Sequence, residues 1–361
     1  MSSVKLSNEQ SKPLAQRIKD DLRMLSVFVG RSPCEVEQGL EKYSDITSGL
    51  TPFGKARLKS KMLYYNLKCD FTYDEFFDYG FAQKIKSQCL EYISNAERLS
   101  VYRKLFMEAP EYDILHNKFK TYCEFEKYFK REVLSVNSVQ DLFGFSDFVS
   151  RHKKVIVKPV NSNNGKGIFI IDFDKEKLGK TDAFKKCLFR DGALIEEFIN
   201  QPGLLNEVYP YSVNTVRFIT YFNSEKNDYD VVAVFLRMGF NKSQVDNSTI
   251  GGLSAAIDLK TGKIRTDGYK ENTGRTFEFH PDTGYKIKGV QLPEWKELLG
   301  ILDEIVRTNP KLKFVGWDFA YSDKGWMLVE ANRKPGFYAA QMCNETGLRP
   351  VFEKTLYLDL K

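Results

Sequence analysis

Three polar residues late in the chain are the first candidates for chemistry. Asp318 lies in Val315-Gly-Trp-Asp-Phe-Ala320, and Glu330 and Asn332 lie in Met327-Leu-Val-Glu-Ala-Asn332. Residues two apart in a strand share a face, so Glu330 and Asn332 point the same way. The turn residues Ser322-Asp-Lys-Gly325 would fold the two strings against each other and bring Asp318 to the same end. Two carboxylates and an amide oxygen make a hard-oxygen set that suits magnesium, which also takes oxygens from substrate phosphates. An acid inside Leu-Val-Glu-Ala is costly to bury unless it is paired or metal-bound. The competing reading is a structural acid paired with an arginine.

A second set could handle a polyphosphate. Gly165 and Gly167 would let the backbone approach a ligand with its N–H groups forward, and Lys166 between them adds a positive charge. Lys158 leaves the end of the preceding apolar run. This is neither a Walker loop, which needs Gly-Lys-Ser/Thr followed by a helix, nor Gly-x-Gly-x-x-Gly. A plain surface hairpin is the alternative. A third string, Leu194-Ile-Glu-Glu-Phe-Ile199, reads as an apolar strand ending in paired acids. It could be a solvated strand end. It could also be a hinge whose backbone meets an adenine edge, with Phe198 and Ile199 in apolar contact.

The elements that must carry these groups follow from pattern. Val155-Ile-Val-Lys-Pro159 and Gly167-Ile-Phe-Ile-Ile-Asp172 are short β-branched runs flanking the glycine-bearing tip, so a hairpin is expected. A helix near Asp182–Phe189, a strand over Ala193–Ile199 and two longer strands over Thr215–Phe222 and Asp230–Met238 come next. A polar Gly-rich stretch, a helix over Leu292–Arg307 and a final hairpin follow. Residues 1 to about 110 read as helical, with Ser11–Val27 and Phe81–Phe106 carrying apolar residues at three- and four-residue spacing. That part shows no chemistry of its own.

Composition sets the outer bounds. The chain has 361 residues, of which 42% are hydrophobic, 14% aromatic and 28% charged, enough for one large or two to three ordinary cores. The net charge of +6 comes from 54 basic and 48 acidic residues that are well mixed, which describes a solvated surface, with an anionic ligand or surface as the alternative. No run of basic residues interleaved with aromatics suggests nucleic acid. The six cysteines form no C-x-x-C pair, and with three histidines a zinc site is not expected. Reduced thiols and a cytoplasmic location are expected instead. The opening string has no apolar signal core, and no run of 18 apolar residues appears, so no transmembrane segment is expected.

Taken in order, Lys158 on a strand, the Gly-Lys-Gly tip, Glu-Glu-Phe-Ile and Asp…Glu-x-Asn resemble the ATP-grasp superfamily from about residue 112 onward. The chain looks most like its sugar-transfer-associated group. Tyr211-Ser-Val-Asn-Thr-Val-Arg217, Val245-Asp-Asn-Ser-Thr-Ile-Gly-Gly-Leu253, Gly316-Trp-Asp and Glu-Ala-Asn-x-x-Pro-Gly336 carry that likeness. The resemblance implies roles. Lys118, with Lys120 as competitor, and Lys158 would be the nucleotide lysines. Gly165, Lys166 and Gly167 would be the lid over the β and γ phosphates. Glu196 and Ile199 would meet adenine through their backbones, with Glu197 and Phe198 in the same hinge, and Glu207 would meet the ribose. Asp318, Glu330 and Asn332 would be the metal set. Arg217, Arg237 and Arg333 would hold phosphate or acyl-phosphate oxygens, with salt bridges in a sheet as the alternative for the first two. Many carboxylate ligases carry an arginine two residues before the metal Asp; here that position is Gly316.

The expected fold is therefore α+β ATP-grasp, two α+β lobes clamping ATP, with a helical N-terminal region. The expected division is residues 1–110 helical, 111–200 the lobe with the lid, and 201–361 the lobe with the metal site. The resemblance implies ATP and Mg2+ as cofactors. It also implies a carboxylate–amine ligase working through an acyl phosphate, with a small-molecule or glycan-linked carboxylate and an amine as partners. Polysaccharide or sugar-conjugate biosynthesis is the implied setting. A kinase on the same fold and a non-enzymatic nucleotide-binding adaptor are the rival readings.

Overall fold

A computed structural model describes residues 33–105, 107, 109–138, 140–160, 167–174, 192–243 and 251–354. The helices expected over Ser11–Val27 and Asp182–Phe189 lie outside them, as does most of the Val245–Leu253 string.

Two antiparallel sheets organise the chain. The smaller contains β1 (Val133–Val136), β2 (Lys154–Pro159), β3 (Phe169–Asp172) and β4 (Ala193–Glu197) in the order β1-β4-β2-β3. Pairing of β2 with β3 gives the expected hairpin, with Val157 opposite Phe169. Its core is Val136, Phe148, Val155, Val157, Ile171 and Ile195, the apolar alternation that buries one sheet face. The larger sheet contains β5 (Thr215–Asn223), β6 (Asp228–Met238), β7 (Leu253–Ala256), β8 (Gly268–Lys270), β9 (Arg275–Phe277), β10 (Phe314–Ser322) and β11 (Gly325–Asn332), in the order β11-β10-β5-β6-β7-β8-β9. β7, β8 and β9 occupy the stretch that sequence pattern leaves as polar and Gly-rich. They are three or four residues long, too short for alternation to register.

The large sheet has two unlike faces. On the back, Phe218 and Trp317 are cross-strand partners. There helix α1 (Lys118–Phe129) brings Phe125 edge-on to Trp317 at 5.4 Å, and helix α2 (Trp295–Thr308) stacks Trp295 on Phe218 at 5.7 Å. The front carries Gly316, Asp318 and Arg217. It is covered by the loop Pro335–Phe337 and by helix α3 (Tyr338–Asn344), whose Met342 packs with Tyr269.

The helical N-terminal part does not contain the long helix expected over Phe81–Phe106. It has a single turn at Lys86–Cys89 and a separate helix at Arg98–Lys104. Tertiary bonds compete with helix there. Gln341 takes both the N–H (2.9 Å) and the C=O (2.8 Å) of Ile93, and Glu75 takes the N–H of Asn95 at 2.7 Å. This region docks on the large sheet through a shared apolar cluster that includes Val101, Tyr102 and Phe337, and through polar bonds. Asp78 accepts from the N–H groups of Asn272, Thr273 and Gly274 in the β8–β9 turn and from the Tyr338 hydroxyl. Arg349 forms a two-pronged pair with Glu97.

Asp78→Ala should lower the unfolding free energy by about 3 kcal/mol, because three turn amides and a hydroxyl lose one shared acceptor. Urea denaturation measures it; an unchanged midpoint would mean the turn is held by other contacts.

Candidate active site

The β10–β11 hairpin sets the geometry of the large-sheet side. Asp318 is opposite Glu330 and Gly316 is opposite Asn332, so all three polar candidates share the front face. A register shift follows immediately: Phe319 pairs with Leu328, and Val329 is the extra residue of a bulge. Bulges re-aim side chains and sharpen twist. Here the bulge lies directly before Glu330.

Asp318 is buried, and both its oxygens are engaged. Arg217, opposite it on β5, holds it with two prongs, the second at 2.5 Å; Arg237 on β6 reaches Oδ2 at 3.2 Å. Asn332 Nδ2 donates to the same oxygen at 3.3 Å. Burial alone would raise the Asp318 carboxyl; the two guanidinium groups outweigh it and hold the group below the ordinary carboxylate range. The salt-bridge reading of Arg217 and Arg237 thus describes their contacts in this structure. Glu330 and Asn332 are half-buried, as is Arg333 just beyond the strand.

The small-sheet side converges on Glu196. Its Oε1 takes the Lys158 ammonium at 2.8 Å, and its Oε2 takes Arg131 Nη2 at 2.7 Å and Nε at 3.0 Å. Burial pushes the Glu196 carboxyl up, but Lys158 and Arg131 together bring it down to about 2. Arg131 also donates to the carbonyls of Leu328 (2.6 Å) and Val329 (3.1 Å). One buried guanidinium therefore ties β4 to the bulge of β11. Nothing in its sequence setting, Lys130-Arg-Glu132, separates it from an ordinary solvated charge run. The single local cue is its place just before an apolar strand.

Lys118 joins the two sides. It is the first residue of α1, whose N-cap Asn117 accepts the N–H groups of Phe119 and Lys120 at 2.9 and 3.1 Å. That cap aims the helix start at the cluster. Burial lowers the Lys118 ammonium pKa; Glu330 offsets this, Lys158 adds to it, and Glu196 offsets it again. Lys120 is exposed, so Lys118 is the lysine brought to the site.

The remaining candidates scatter more. The N–H groups of Glu197 and Phe198 are taken by Glu132 O at 2.9 Å and Lys154 O at 3.4 Å. An adenine edge could not use those two amides. Glu197 also pairs with Lys324 at 2.6 Å, and the Lys154 ammonium sits 3.6 Å over the Phe198 ring. Ile199 is buried with Ala320 and Met327, an apolar floor where the two sheets meet. Glu207 is exposed on a single-turn helix, Leu204–Val208. Gly167 has φ +76°, and a Cβ there would lie 3.0 Å from Pro159, so glycine suits the hairpin shoulder. Gly165 and Lys166 lie outside the described residues. No helix among the described residues is long and apolar enough to cross a membrane.

A family model described as sugar-transfer associated ATP-grasp matches residues 97–356. Among solved structures the chain is similar to D-alanyl-alanine synthetase A from Vibrio cholerae, at 14% identity over 65% of this chain and 66% of that one, with TM-score 0.39. It is similar also to the VanG D-Ala:D-Ser ligase from Enterococcus faecalis, at 13% identity over 69% of this chain and 62% of that one, with TM-score 0.45. The chain spans just under two thirds of the length of these structures. No curated protein matches it.

The Glu196 cluster predicts a pH dependence. Its folded value of about 2 lies below the ordinary 4.5, so its contribution is fully present above pH 4.5 and is lost as pH falls toward 2. Wild type should lose on the order of 3 kcal/mol more stability than Glu196→Gln across that range. At neutral pH the variant should be the weaker of the two. Denaturation curves at stepped pH decide it; parallel profiles would remove Glu196 from the acid transition.

Proposed function

The chain belongs to the sugar-transfer associated ATP-grasp family, and on that premise we propose an ATP- and magnesium-dependent carboxylate–amine ligase that forms an amide through an acyl phosphate in polysaccharide or sugar-conjugate biosynthesis. The observation that carries this reading is the meeting of two charge sets. Lys158 comes from the small sheet, and Lys118 from the start of α1, the helix behind the large sheet. Asp318, Glu330 and Asn332 come from the front of the large sheet, with Lys118 and Glu330 in electrostatic contact.

In this reading Lys118 and Lys158 hold the nucleotide phosphates, with Glu196 fixing where the Lys158 ammonium sits. Gly165, Lys166 and Gly167 close over the β and γ phosphates. Ile199 and the carbonyl of Glu196 meet adenine, Phe198 lies beside it, and Glu207 reaches the ribose. The donor set fits magnesium: two carboxylates directly opposed across a hairpin and an amide, all hard oxygen donors. Among the described residues no third His, Cys, Asp or Glu joins them, so Asp318, Glu330 and Asn332 are the residues that would hold the ion. Bound magnesium supplies charge neutralisation at the transferring phosphoryl group. Arg217, Arg237 and Arg333 orient and stabilise that group from the large-sheet side, which requires Arg217 and Arg237 to share their donors between Asp318 and the phosphoryl oxygens. The acceptor carboxylate attacks the γ-phosphorus in line and ADP leaves. The amine then displaces phosphate from the acyl carbon, giving amide, phosphate and a proton.

ADP release measured against panels of carboxylates, each with and without amines, should require both partners. Release that needs only a hydroxyl acceptor would replace the ligase with a kinase. Glu330→Gln keeps the shape and removes a charge, so it should lower turnover by about a hundredfold or more while sparing the melting temperature. Near-normal turnover with depressed stability would leave Glu330 a structural acid.

A further inference from the structure

The helical region, silent in the sequence, brings a cation against the loop that covers the front face. Arg98 begins the helix Arg98–Lys104. Its guanidinium lies 5.6 Å from the centre of the Tyr102 ring, one helical turn on. The Tyr102 hydroxyl donates to the carbonyl of Pro335 at 2.7 Å. A Cβ at Gly336 would sit 3.4 Å from Arg98 Nη1, so the guanidinium rests against the backbone just beyond Asn332 and Arg333.

Pro335 in turn leads back to the site. A Cβ at Gly316 would be 2.7 Å from Pro335 Cβ and 3.5 Å from Arg217 Cδ. Tyr102 feels both Arg98 and Arg217 electrostatically. The path from Arg98 to the Arg217–Asp318 pair therefore crosses only a tyrosine ring and the Pro335–Gly336 backbone. A side chain at Gly316 is blocked by Pro335. A cation two residues before Asp318 has no room there, and Arg98 is a cation that the fold brings to the other side of the Pro335–Gly336 backbone.

Arg98 also has capacity to spare. Its Nε is buried without a hydrogen-bond partner among the described residues, although the residue as a whole is only half-buried. Glu75, the acid that feels Arg98, has its oxygens engaged by the N–H groups of Thr72 and Asn95. Leaving a buried guanidinium donor unmade is costly, and a planar fork of donors matches a carboxylate or phosphate.

We propose that Arg98 is the anion-binding residue of the acceptor subsite, taking an oxyanion of the acceptor on the front face beside Arg217. This rests on the ligase reading above. It makes the helical region part of substrate selection.

The test uses the full chain saturated with a non-hydrolysable ATP analogue and magnesium, titrated with inorganic phosphate. The analogue fills the nucleotide phosphate positions, so further phosphate reports the acceptor subsite. Wild type should bind phosphate. Arg98→Met, which keeps the stem on Tyr102, should weaken it by about tenfold or more, and Arg98→Lys should fall between, since a charge-assisted fork contributes roughly 1.5–3 kcal/mol. The analogue's own affinity reports folding in both variants; if Arg98→Met fails to bind it, Arg98→Lys decides. Equal phosphate affinity in wild type and the informative variant, or no phosphate binding by wild type, overturns the proposal. Failure of wild type to bind the analogue would instead overturn the nucleotide reading on which it rests.

Discussion

The buried guanidinium of Arg131 is the contact on which the site's geometry depends. With its side chain 1% exposed, it bonds a carboxylate on one sheet and two carbonyls on the other. Burying an ion pair costs several kcal/mol of lost hydration, and such a pair is stable only when the remaining donors and lone pairs are satisfied. Arg131 and Glu196 meet that condition because the edge strand β11 offers the carbonyls of Leu328 and Val329 at its bulge, and because Lys158 takes the second Glu196 oxygen. The bulge and the ion pair therefore explain each other. Val329 leaves the ladder at the point where Arg131 needs acceptors, and Glu330 leaves the bulge turned to the front face.

Charge then divides between the two sides. Beside the small sheet, Lys158 and Arg131 share one acid, Glu196, and Lys118 stands between Glu330 and Glu196, so cations outnumber the acids they meet on that wall. On the large-sheet front, Arg217 and Arg237 converge on Asp318, and Glu330 lies opposite Asp318 across the hairpin, two acids for two cations. A cationic wall opposite a balanced one is an arrangement for a polyanion that arrives with its own counter-ion. In the proposed function the cations would meet the phosphates. The depressed Lys118 pKa has the same origin, since burial beside Lys158 penalises its charge until an anion is present.

Much of this was legible because it is local. That Glu330 and Asn332 share a face follows from strand alternation, and the β2–β3 hairpin from two β-branched runs around a glycine tip; the Asp318–Glu330 register needs the bulge as well, since the Ser322–Gly325 turn alone would set Asp318 opposite Val329. What was not legible depends on contacts remote in the chain. Arg131 and Glu196 are 65 residues apart, and Arg131 and Leu328 are 197 apart. The break in the Phe81–Phe106 pattern is enforced by Gln341, 248 residues from Ile93. β7, β8 and β9 are held by sheet neighbours rather than by their own composition, which is why a Gly-rich stretch forms three strands. The pairing of Arg217 and Arg237 with Asp318 was visible only as one of two alternatives, because sequence order does not say which acid a central-strand arginine will face.

The helical region bears on the site through one segment of chain. After Asn332 the chain runs through Arg333, Lys334, Pro335 and Gly336 into α3. Tyr102 holds the Pro335 carbonyl, Asp78 holds the Tyr338 hydroxyl, and Ile93 brackets Gln341. Each of these anchors comes from the helical region. Pro335 is also the residue that lies on Gly316, against which Arg217 rests. The exit path of the strand bearing Glu330 and Asn332 is thus fixed by a part of the protein that lies largely before the family match begins at residue 97. Helices that only buried their own apolar faces would have no need to place acceptors and donors on this particular loop. Their polar side chains instead set the position of the strand end that carries Glu330 and Asn332, while Lys118, Lys158 and Glu196 take no part in the bonds that anchor that loop.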